Sequence, residues 1–192
     1  MRLPILIGLP GIVIMAGAGV AGPDADRLAA MRAAIHPVAD ATAMQAWLSR
    51  VPVTRDFPDD LTATLRVQGT DWTVEMTTGS ECVPCGDLWA KLGKLGRSYG
   101  WQVGTISHRE AMMRSGKLGL PWVGHPVAWM RSRSDAQRII PVAIGTDHEA
   151  NLARNIYLAA KMLEGVRPAV GVRAMSKFTG IVAVPAPARG RR

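Results

Sequence analysis

The stretch Ser80–Trp89, SECVPCGDLW, contains both cysteines of the 192-residue chain, Cys82 and Cys85. Two cysteines with two residues between them, placed after a strand pattern and at the start of a helix pattern, are typical of a redox-active dithiol. Unpaired N–H groups and the helix dipole stabilise a thiolate on the first sulfur. We therefore predict that Cys82 is the attacking sulfur and that Cys85, one turn further on and more buried, is the resolving sulfur.

The residues around the cysteines alternate between strand and helix patterns. Alternating polar and apolar residues predict strands, and apolar residues three or four positions apart predict helices. In chain order the predicted elements are a strand hairpin over 61–67 and 72–76, a helix over 87–99, a strand over 101–107, a short helix from His108 to Gly116, a second hairpin over 127–130 and 138–145, and a helix ending near Gly165.

Two local signals refine the end of this pattern. Proline has no N–H for a sheet ladder, so Pro141 is expected on an edge strand or at a bulge. Thr146 and Glu149 have the spacing of a capping box, in which each side chain bonds the other residue's backbone N–H. We therefore predict that Thr146 caps the last helix.

The first residues predict export. Residues 1–21 contain a basic residue, a long apolar run and then small residues, which is the pattern of a secretory signal peptide. Cleavage after Ala18 or Ala21 would leave an exported protein, periplasmic in a bacterium or secreted, in a compartment where disulfides persist. An uncleaved leader would instead anchor the chain in a membrane.

The next segment, residues 22–60, is a predicted N-terminal helical extension. Alanine, leucine and methionine favour two short helices over 24–49, and Pro37 separates them. Prolines and an aspartate pair predict a connecting loop over 51–60.

The charge is concentrated at the other end of the chain. Residues 165–192 hold six basic residues and no acid, out of a formal net charge of +8. Residues 166–192 are therefore predicted to be a basic, largely irregular tail, with 181–184 as one strand or docking segment. Such a tail attracts anionic lipid, nucleic acid or an acidic partner, or it is simply solvated. Because the main domain over 61–165 is then close to neutral, nucleic acid is not the expected partner.

A second motif follows the cysteines, since Gly124-His125-Pro126 directly precedes a hydrophobic strand pattern. With this proline, the CxxC pair and the element order, the chain resembles the thioredoxin-like superfamily over residues 61–163. The resemblance implies an α/β thioredoxin-like fold with a central mixed β-sheet flanked by helices. It also implies a cis His125–Pro126 bond beside the cysteines, protein thiol or disulfide substrates, a redox partner protein, and no cofactor or resident metal.

The chain departs from that family beside the cysteines. The family has tryptophan before the first cysteine and a buried aspartate six positions before it, where this chain has Glu81 and Met76. A carboxylate at Glu81 would oppose thiolate formation on Cys82. Glu75 does not replace the aspartate, because strand alternation turns it to the face opposite Met76. A proton relay of the family type is therefore not expected.

Four other residues are candidates for the site. His125 has two interpretations: an imidazolium that stabilises the thiolate, or an exposed loop histidine. The five tryptophans from Trp72 to Trp129 are expected in the core. Trp89, Trp122 and Gly124 are also candidates for a groove that holds the substrate.

Three functions stay open at this point. The first is an exported thiol:disulfide oxidoreductase. The second is a copper or zinc carrier that adds His108 and His125 to the two thiols. The third is a non-catalytic accessory subunit of an envelope conjugation or secretion machine, bound through its basic tail. For the cysteines alone, a structural disulfide is the further alternative, although so small a loop gains little stability from closure.

Overall fold

The computed structural model describes residues 35–165 and 177–185. The predicted signal peptide, the first predicted helix of the extension up to residue 34, and residues 166–176 and 186–192 of the predicted tail lie outside them. The described elements are β1 His36–Val38, α1 Ala41–Leu48, α2 Leu61–Gln68, β2 Trp72–Thr77, α3 Val83–Tyr99, β3 Gln102–Ile106, α4 His108–Lys117, β4 Val127–Ser132, β5 Ile139–Ile144, α5 Glu149–Glu164 and β6 Ile181–Ala183. None of these helices is long and apolar enough to cross a membrane.

The central sheet has four strands in the order β3-β2-β4-β5. Strands β2 and β3 run parallel, whereas β4 runs antiparallel to both of its neighbours, β2 and β5. The expected central mixed β-sheet flanked by helices, and with it the α/β class, is confirmed. Thr77 pairs with Ile106, and Val127 pairs with Ile144. The ends of β2, β3 and β5 and the start of β4 therefore meet at one edge of the sheet.

Helices cover both faces of this sheet. On one face α2, α3 and α5 pack over Val74 and Met76 of β2 and Met130 of β4. On the other face Ala111 of α4 packs against Val127 and Trp129 of β4. This division follows from the alternation of side chains along each strand.

The second predicted hairpin is confirmed, and so is the position of Pro141. Strand β5 is an edge strand, and Pro141 pairs with Trp129 beside a register shift between Ala128 and Trp129. A residue without an N–H is tolerated there because an edge strand has one side free of ladder bonds.

The first predicted hairpin is wrong, because Leu61–Gln68 is a helix. Its buried residues are Leu61, Thr64, Leu65 and Gln68, which have the three- and four-residue spacing of one helical face. That face packs against α5 and α3. Alternation over seven residues resembled a strand, but burial against two helices decided the conformation.

The predicted cap of the last helix is also wrong. Helix α5 has His148 at its N-cap and ends as predicted at Gly165, which has a positive φ of 69°. The Thr146 side chain instead donates a hydrogen bond to the Asp87 carboxylate, and its backbone N–H donates to the Ile181 carbonyl. The hydroxyl is thus bonded to α3, and the local capping signal is overridden by a tertiary contact.

The N-terminal extension is not wholly helical. Pro37, which was predicted to separate two helices, lies in the strand β1. Strand β1 pairs in parallel with β6, so the predicted strand at 181–184 is confirmed. Helix α1 follows, with the Asp40 carboxylate accepting a hydrogen bond from the Ala43 N–H at 2.8 Å. Residues 51–60 form the predicted loop.

Candidate active site

The two cysteines lie at the edge where the strand ends meet. Cys82 is the N-cap of α3 and is partly exposed, whereas Cys85 is only 5% exposed and packs in the main core. The two residues form a disulfide with a Cα–Cα distance of 5.2 Å. The predicted difference in exposure between the two cysteines is confirmed. Pro84 occupies the first turn of the helix, where a missing N–H leaves no bond unmade.

The backbone around the His125–Pro126 bond is held by hydrogen bonds to three other elements. The His125–Pro126 peptide bond is cis, as expected. Beside it, the Val127 N–H donates to Thr77 Oγ1 at 3.0 Å. The Pro126 carbonyl accepts from the Gly145 N–H at 2.8 Å, and the His125 carbonyl accepts from the Ala183 N–H at 2.7 Å. Strand β2, the end of β5 and strand β6 therefore all fix this loop.

His125 and Cys82 adjoin the same glycine. A Cβ atom at Gly79 would lie 3.1 Å from His125 Cδ2 and 3.8 Å from Cys82 Cβ. A side chain at position 79 would therefore require the imidazole to shift by a few tenths of an ångström. The structure thus brings together Cys82, Cys85, His125 and Pro126. It also gives Gly124 a φ of 103°, a conformation that favours glycine.

Three rings pack together beside the disulfide. The His108 and Trp122 ring centroids are 4.7 Å apart, those of Trp122 and His125 are 5.2 Å apart, and those of His108 and His125 are 5.3 Å apart. Within the described residues, His125 Nδ1 is buried and has no hydrogen-bond partner. Burial, with a smaller effect from the neighbouring His108, lowers the pKa of His125 below its usual value of 6.5. His125 is therefore neither a fully exposed loop histidine nor a favoured imidazolium.

The carboxylates near the site do not form a proton relay to the sulfurs. Met76 is fully buried in the core that contains Cys85. Glu75 instead bonds Arg131 and Arg114, at 2.8 and 2.7 Å. Burial alone would raise the pKa of Glu75, but hydrogen bonds from the two arginines outweigh it and hold the pKa below its usual value. Glu81 is exposed and has a φ of 56°, in the left-handed region.

The tryptophans divide into buried and exposed residues. Trp72, Trp101 and Trp129 are buried, as expected for core residues. Trp122 is partly buried and contacts His125. Trp89 is 43% exposed on α3, one turn beyond Cys85, so the expectation that it packs in the core is wrong. Its exposure is compatible with the alternative interpretation, a surface next to the disulfide.

The sequence analysis named His108 beside His125 only as a possible metal ligand, and it missed three contributors to the site: Thr77, Gly79 and the Ala183 N–H. A signal for the positions of Gly79 and His108 was present. Because β2 and β3 run parallel, the residues after them share an edge of the sheet, and Gly79 and His108 each follow one of these strands. The contact of Ala183 had no local signal, because it joins residues far apart in the chain.

Within residues 35–165 and 177–185 there is no group of three or more histidine, cysteine or acidic side chains arranged to hold a metal ion. No family model, curated protein or solved structure matches the chain.

Proposed function

We propose that this chain is a thiol:disulfide oxidoreductase with a thioredoxin-like fold, which exchanges disulfides with protein substrates through Cys82 and Cys85. The observation that carries the proposal is the partly exposed Cys82 at the N-terminus of α3, bonded to a buried Cys85 and adjoined by His125 of the cis His125–Pro126 loop. The fold assignment is supported by the element order from β2 to α5 and by the sheet order β3-β2-β4-β5.

The chemistry follows from the difference between the two sulfurs. Cys82 lies at the N-terminus of α3, where the helix dipole favours a thiolate in the reduced protein, so Cys82 is the better nucleophile. Cys85 is screened from substrates by the core but lies within bonding distance of Cys82. This combination suits one sulfur for attack and the other for resolution.

In the reductive direction the reaction has two exchanges. The Cys82 thiolate attacks a substrate disulfide, which forms a mixed disulfide and releases one substrate thiol after it takes up a proton. Cys85 then loses its proton and attacks the Cys82 sulfur, which forms the Cys82–Cys85 disulfide and releases the second substrate thiol. The protein loses two electrons and two protons, and a dithiol redox partner restores them. In the oxidative direction the same steps run backwards.

A purely structural disulfide is the weaker interpretation. The pair is separated by three positions in the sequence, so it closes a very small loop. Because the entropic stabilisation of a disulfide grows with loop length, this bond contributes less to stability than one that closes a long loop. Its location at an exposed helix end is not required for a structural role.

We further propose that the chain is exported. The pattern of residues 1–21, with a basic residue, an apolar run and then small residues, supports this.

Turnover tests the proposal directly. The full chain is assayed for reduction of insulin with dithiothreitol and for oxidative refolding of a reduced disulfide protein. We expect Cys82→Ser to lose activity in both assays. We expect Cys85→Ser to accumulate a mixed disulfide with the substrate, because the resolving thiol is gone. A Cys82→Ser variant as active as the wild type would reject an enzymatic role.

The reduction potential decides the direction. Equilibration of the Cys82–Cys85 pair with glutathione buffers measures it. A value of about −270 mV indicates a reductant, and about −120 mV indicates a strong oxidant.

A binding role is the second candidate. It is favoured by the small layer of β1, β6 and α1, which packs beside Val83 between the two cysteines and is not required by the exchange chemistry. In this alternative the chain is an accessory subunit of an envelope machine, and its basic tail contacts an acidic partner. Removal of 166–192 would also remove β6, so the better test replaces the tail arginines by glutamine. Unchanged partners in a pull-down from envelope fractions would exclude a role for the tail charge.

A further inference from the structure

A cavity of about 630 Å³ lies between the loop over 51–56, helix α5 and residues 177–181. Its volume is within the range of about 300–1,000 Å³ that is typical of ligand sites. None of the residues proposed for disulfide exchange lines it. The proposed function therefore leaves this cavity unexplained.

Two asparagines of α5 fix the walls of the cavity. Asn151 Oδ1 accepts hydrogen bonds from the Thr54 N–H at 2.8 Å and the Thr54 hydroxyl at 2.9 Å, and its Nδ2 donates to the Pro52 carbonyl at 3.0 Å. Asn155 Nδ2 donates to the Lys177 carbonyl at 2.8 Å, and its Oδ1 accepts from the Lys177 N–H at 3.2 Å. Both walls are thus bonded to the same helix, so a ligand would meet a preformed site with little ordering cost.

Aromatic rings line part of the cavity. The His36 ring stacks on Trp47 with centroids 3.9 Å apart, and the Arg50 guanidinium carbon lies 4.9 Å from the Trp47 ring centroid. Phe178 also lines the cavity and is 38% exposed. Aromatic faces held in place by their neighbours offer a large contact area to an apolar side chain.

The charge of the cavity favours an anionic group. Its lysine and arginine residues are Arg50, Arg55, Arg154 and Lys177, and its acidic residues are Asp56 and Asp147. Arg50 and Arg55 are exposed, so they can reach a ligand without leaving the core. A guanidinium pairs with a carboxylate through two parallel hydrogen bonds.

The buried acid narrows the class of ligand. Asp147 is only 4% exposed, and its Oδ1 accepts from the His148 N–H at 2.6 Å and from Asn151 at 2.7 Å. No other described residue donates to this carboxylate, so a ligand N–H can bond its second oxygen. A carboxylate here disfavours a phosphate by repulsion and an acyl chain by desolvation. A peptide, in contrast, supplies N–H donors, carboxylates and apolar side chains together.

We propose that this cavity binds a segment of a partner protein in which an apolar or aromatic side chain is flanked by acidic residues. The apolar side chain packs against Trp47 and Phe178, the acidic side chains pair with Arg50 and Arg55, and a peptide N–H donates to Asp147. The inference goes beyond the proposed function and does not depend on disulfide exchange.

The test uses the full-length chain and a short fluorescein-labelled peptide of alternating phenylalanine and glutamate. Fluorescence anisotropy measures binding at about 0.15 M salt, where long-range attraction is largely screened. Two matched peptides replace phenylalanine by serine or glutamate by glutamine. We expect each matched peptide to bind about tenfold more weakly, because each lacks one kind of contact. Equal affinity for the three peptides would overturn the inference.

The double variant Arg50→Gln, Arg55→Gln removes two charges from the cavity. We expect it to weaken binding of the phenylalanine–glutamate peptide about tenfold or more, because hydrogen bonds to charged groups are lost. The matched control is Arg109→Gln, Arg133→Gln, which removes the same charge from exposed positions outside the cavity and should weaken binding less than about twofold. Thermal unfolding checks that both variants keep the fold. Equal losses in the two variants would show that net charge alone attracts the peptide.

A second measurement needs no variant of the cavity. The indole N–H resonances of the wild type are followed as the peptide is added. We expect the Trp47 resonance to shift, whereas that of Trp129, fully buried against Ala111 on the other face of the central sheet, should not. An unshifted Trp47 resonance would exclude binding in the cavity.

Two other binding modes are distinguished by the same assay. A variant with Arg189, Arg191 and Arg192 replaced by glutamine should keep the wild-type affinity, and a tenfold loss there would assign the peptide to the tail. Vesicles of phosphatidylglycerol and phosphatidylcholine should not displace the peptide. Displacement by vesicles that no longer bind the Arg50→Gln, Arg55→Gln variant would identify a membrane surface as the ligand and overturn the inference.

Discussion

The Ala183 N–H donates a hydrogen bond of 2.7 Å to the His125 carbonyl oxygen, which joins the last described strand to the residue before the cis proline. The same strand is tied to the end of β5, since the Thr146 N–H donates to Ile181 and the Gly180 N–H donates to Ile144. The strand that carries Ala183 therefore supports the candidate active site, although it lies outside residues 61–165, the predicted main domain.

Ile181 should be essential for this support. Its side chain is fully buried against Val38, Met44 and Leu48. We expect Ile181→Ala to lower the free energy of unfolding by about 2–5 kcal/mol, because it leaves a cavity in a small cluster. Chemical denaturation measures this change. Val184→Ala, at a site 54% exposed in the same segment, is the matched control and should change stability by less than about 0.5 kcal/mol. Equal effects of the two variants would contradict this role of β6.

Thr77 should hold the start of β4. Its Oγ1 atom accepts from the Val127 N–H, and the side chain is fully buried. Thr77→Val keeps the shape but removes the acceptor, and an unsatisfied buried N–H costs about 1–3 kcal/mol. Thr105→Val, at an exposed position of β3, is the control, with an expected change within about 0.5 kcal/mol. Amide hydrogen exchange at Val127 should accelerate in Thr77→Val alone; unchanged protection would show that the hydroxyl is dispensable.

Gly79 should be sensitive to the smallest side chain. A Cβ there would lie 3.1 Å from His125 Cδ2, and the His125 ring is packed between Trp122 and His108, so it cannot easily move away. We expect Gly79→Ala to destabilise the fold by about 1 kcal/mol and to shift the His125 proton resonances.

Gly86→Ala is the matched control for that substitution. It lies in α3, and a Cβ there would meet nothing within 4 Å. Alanine should therefore stabilise the helix by about 0.5–1 kcal/mol. Thermal unfolding compares the two variants. If Gly79→Ala proved as stabilising as Gly86→Ala, the close packing of His125 on this loop would be disproved.

Glu75 should stabilise the fold only at pH values above its pKa in the folded chain. Its pKa is lower in the folded chain than its usual value of 4.5, so its contribution is fully present above that pH and is lost as the pH falls through the folded pKa. We expect Glu75→Gln to cost about 3 kcal/mol at pH 7, since Arg114 is left buried without this partner. Denaturation at pH 7 and at pH 3 measures the difference, which should shrink at the lower pH.

Glu110→Gln is the control for the arginine contacts. Glu110 bonds the same Arg114 but its side chain is 40% exposed. An exposed i,i+4 pair contributes only about 0.3–0.5 kcal/mol. A loss as large as that of Glu75→Gln would show that exposure does not determine the strength of these ion pairs.

The elements that could be predicted from the sequence are those with a strong local signal. Four such elements are present as expected: the helix after Cys82, the strand at 72–76, the second hairpin, whose last strand contains Pro141, and the helix ending at Gly165. The predictions that failed depended on a weaker signal. Residues 61–67 alternate over too few positions to distinguish a strand from a helix buried on one face. Thr146 had the right spacing for a cap, but His148 is the N-cap and the Thr146 hydroxyl donates to the Asp87 carboxylate of α3 instead.

The sequence by itself determined the placement of two cysteines at a helix start and of a histidine–proline pair before a strand, because helix dipoles, caps and periodicity act between residues close in the chain. Only the tertiary structure decided that His108 meets His125, that Thr77 accepts from Val127, and that Ala183 binds the loop before β4. The physical reason is that these contacts join residues between 17 and 58 positions apart in the printed sequence. Such contacts depend on which strands pair and which edges meet, and no local pattern specifies that.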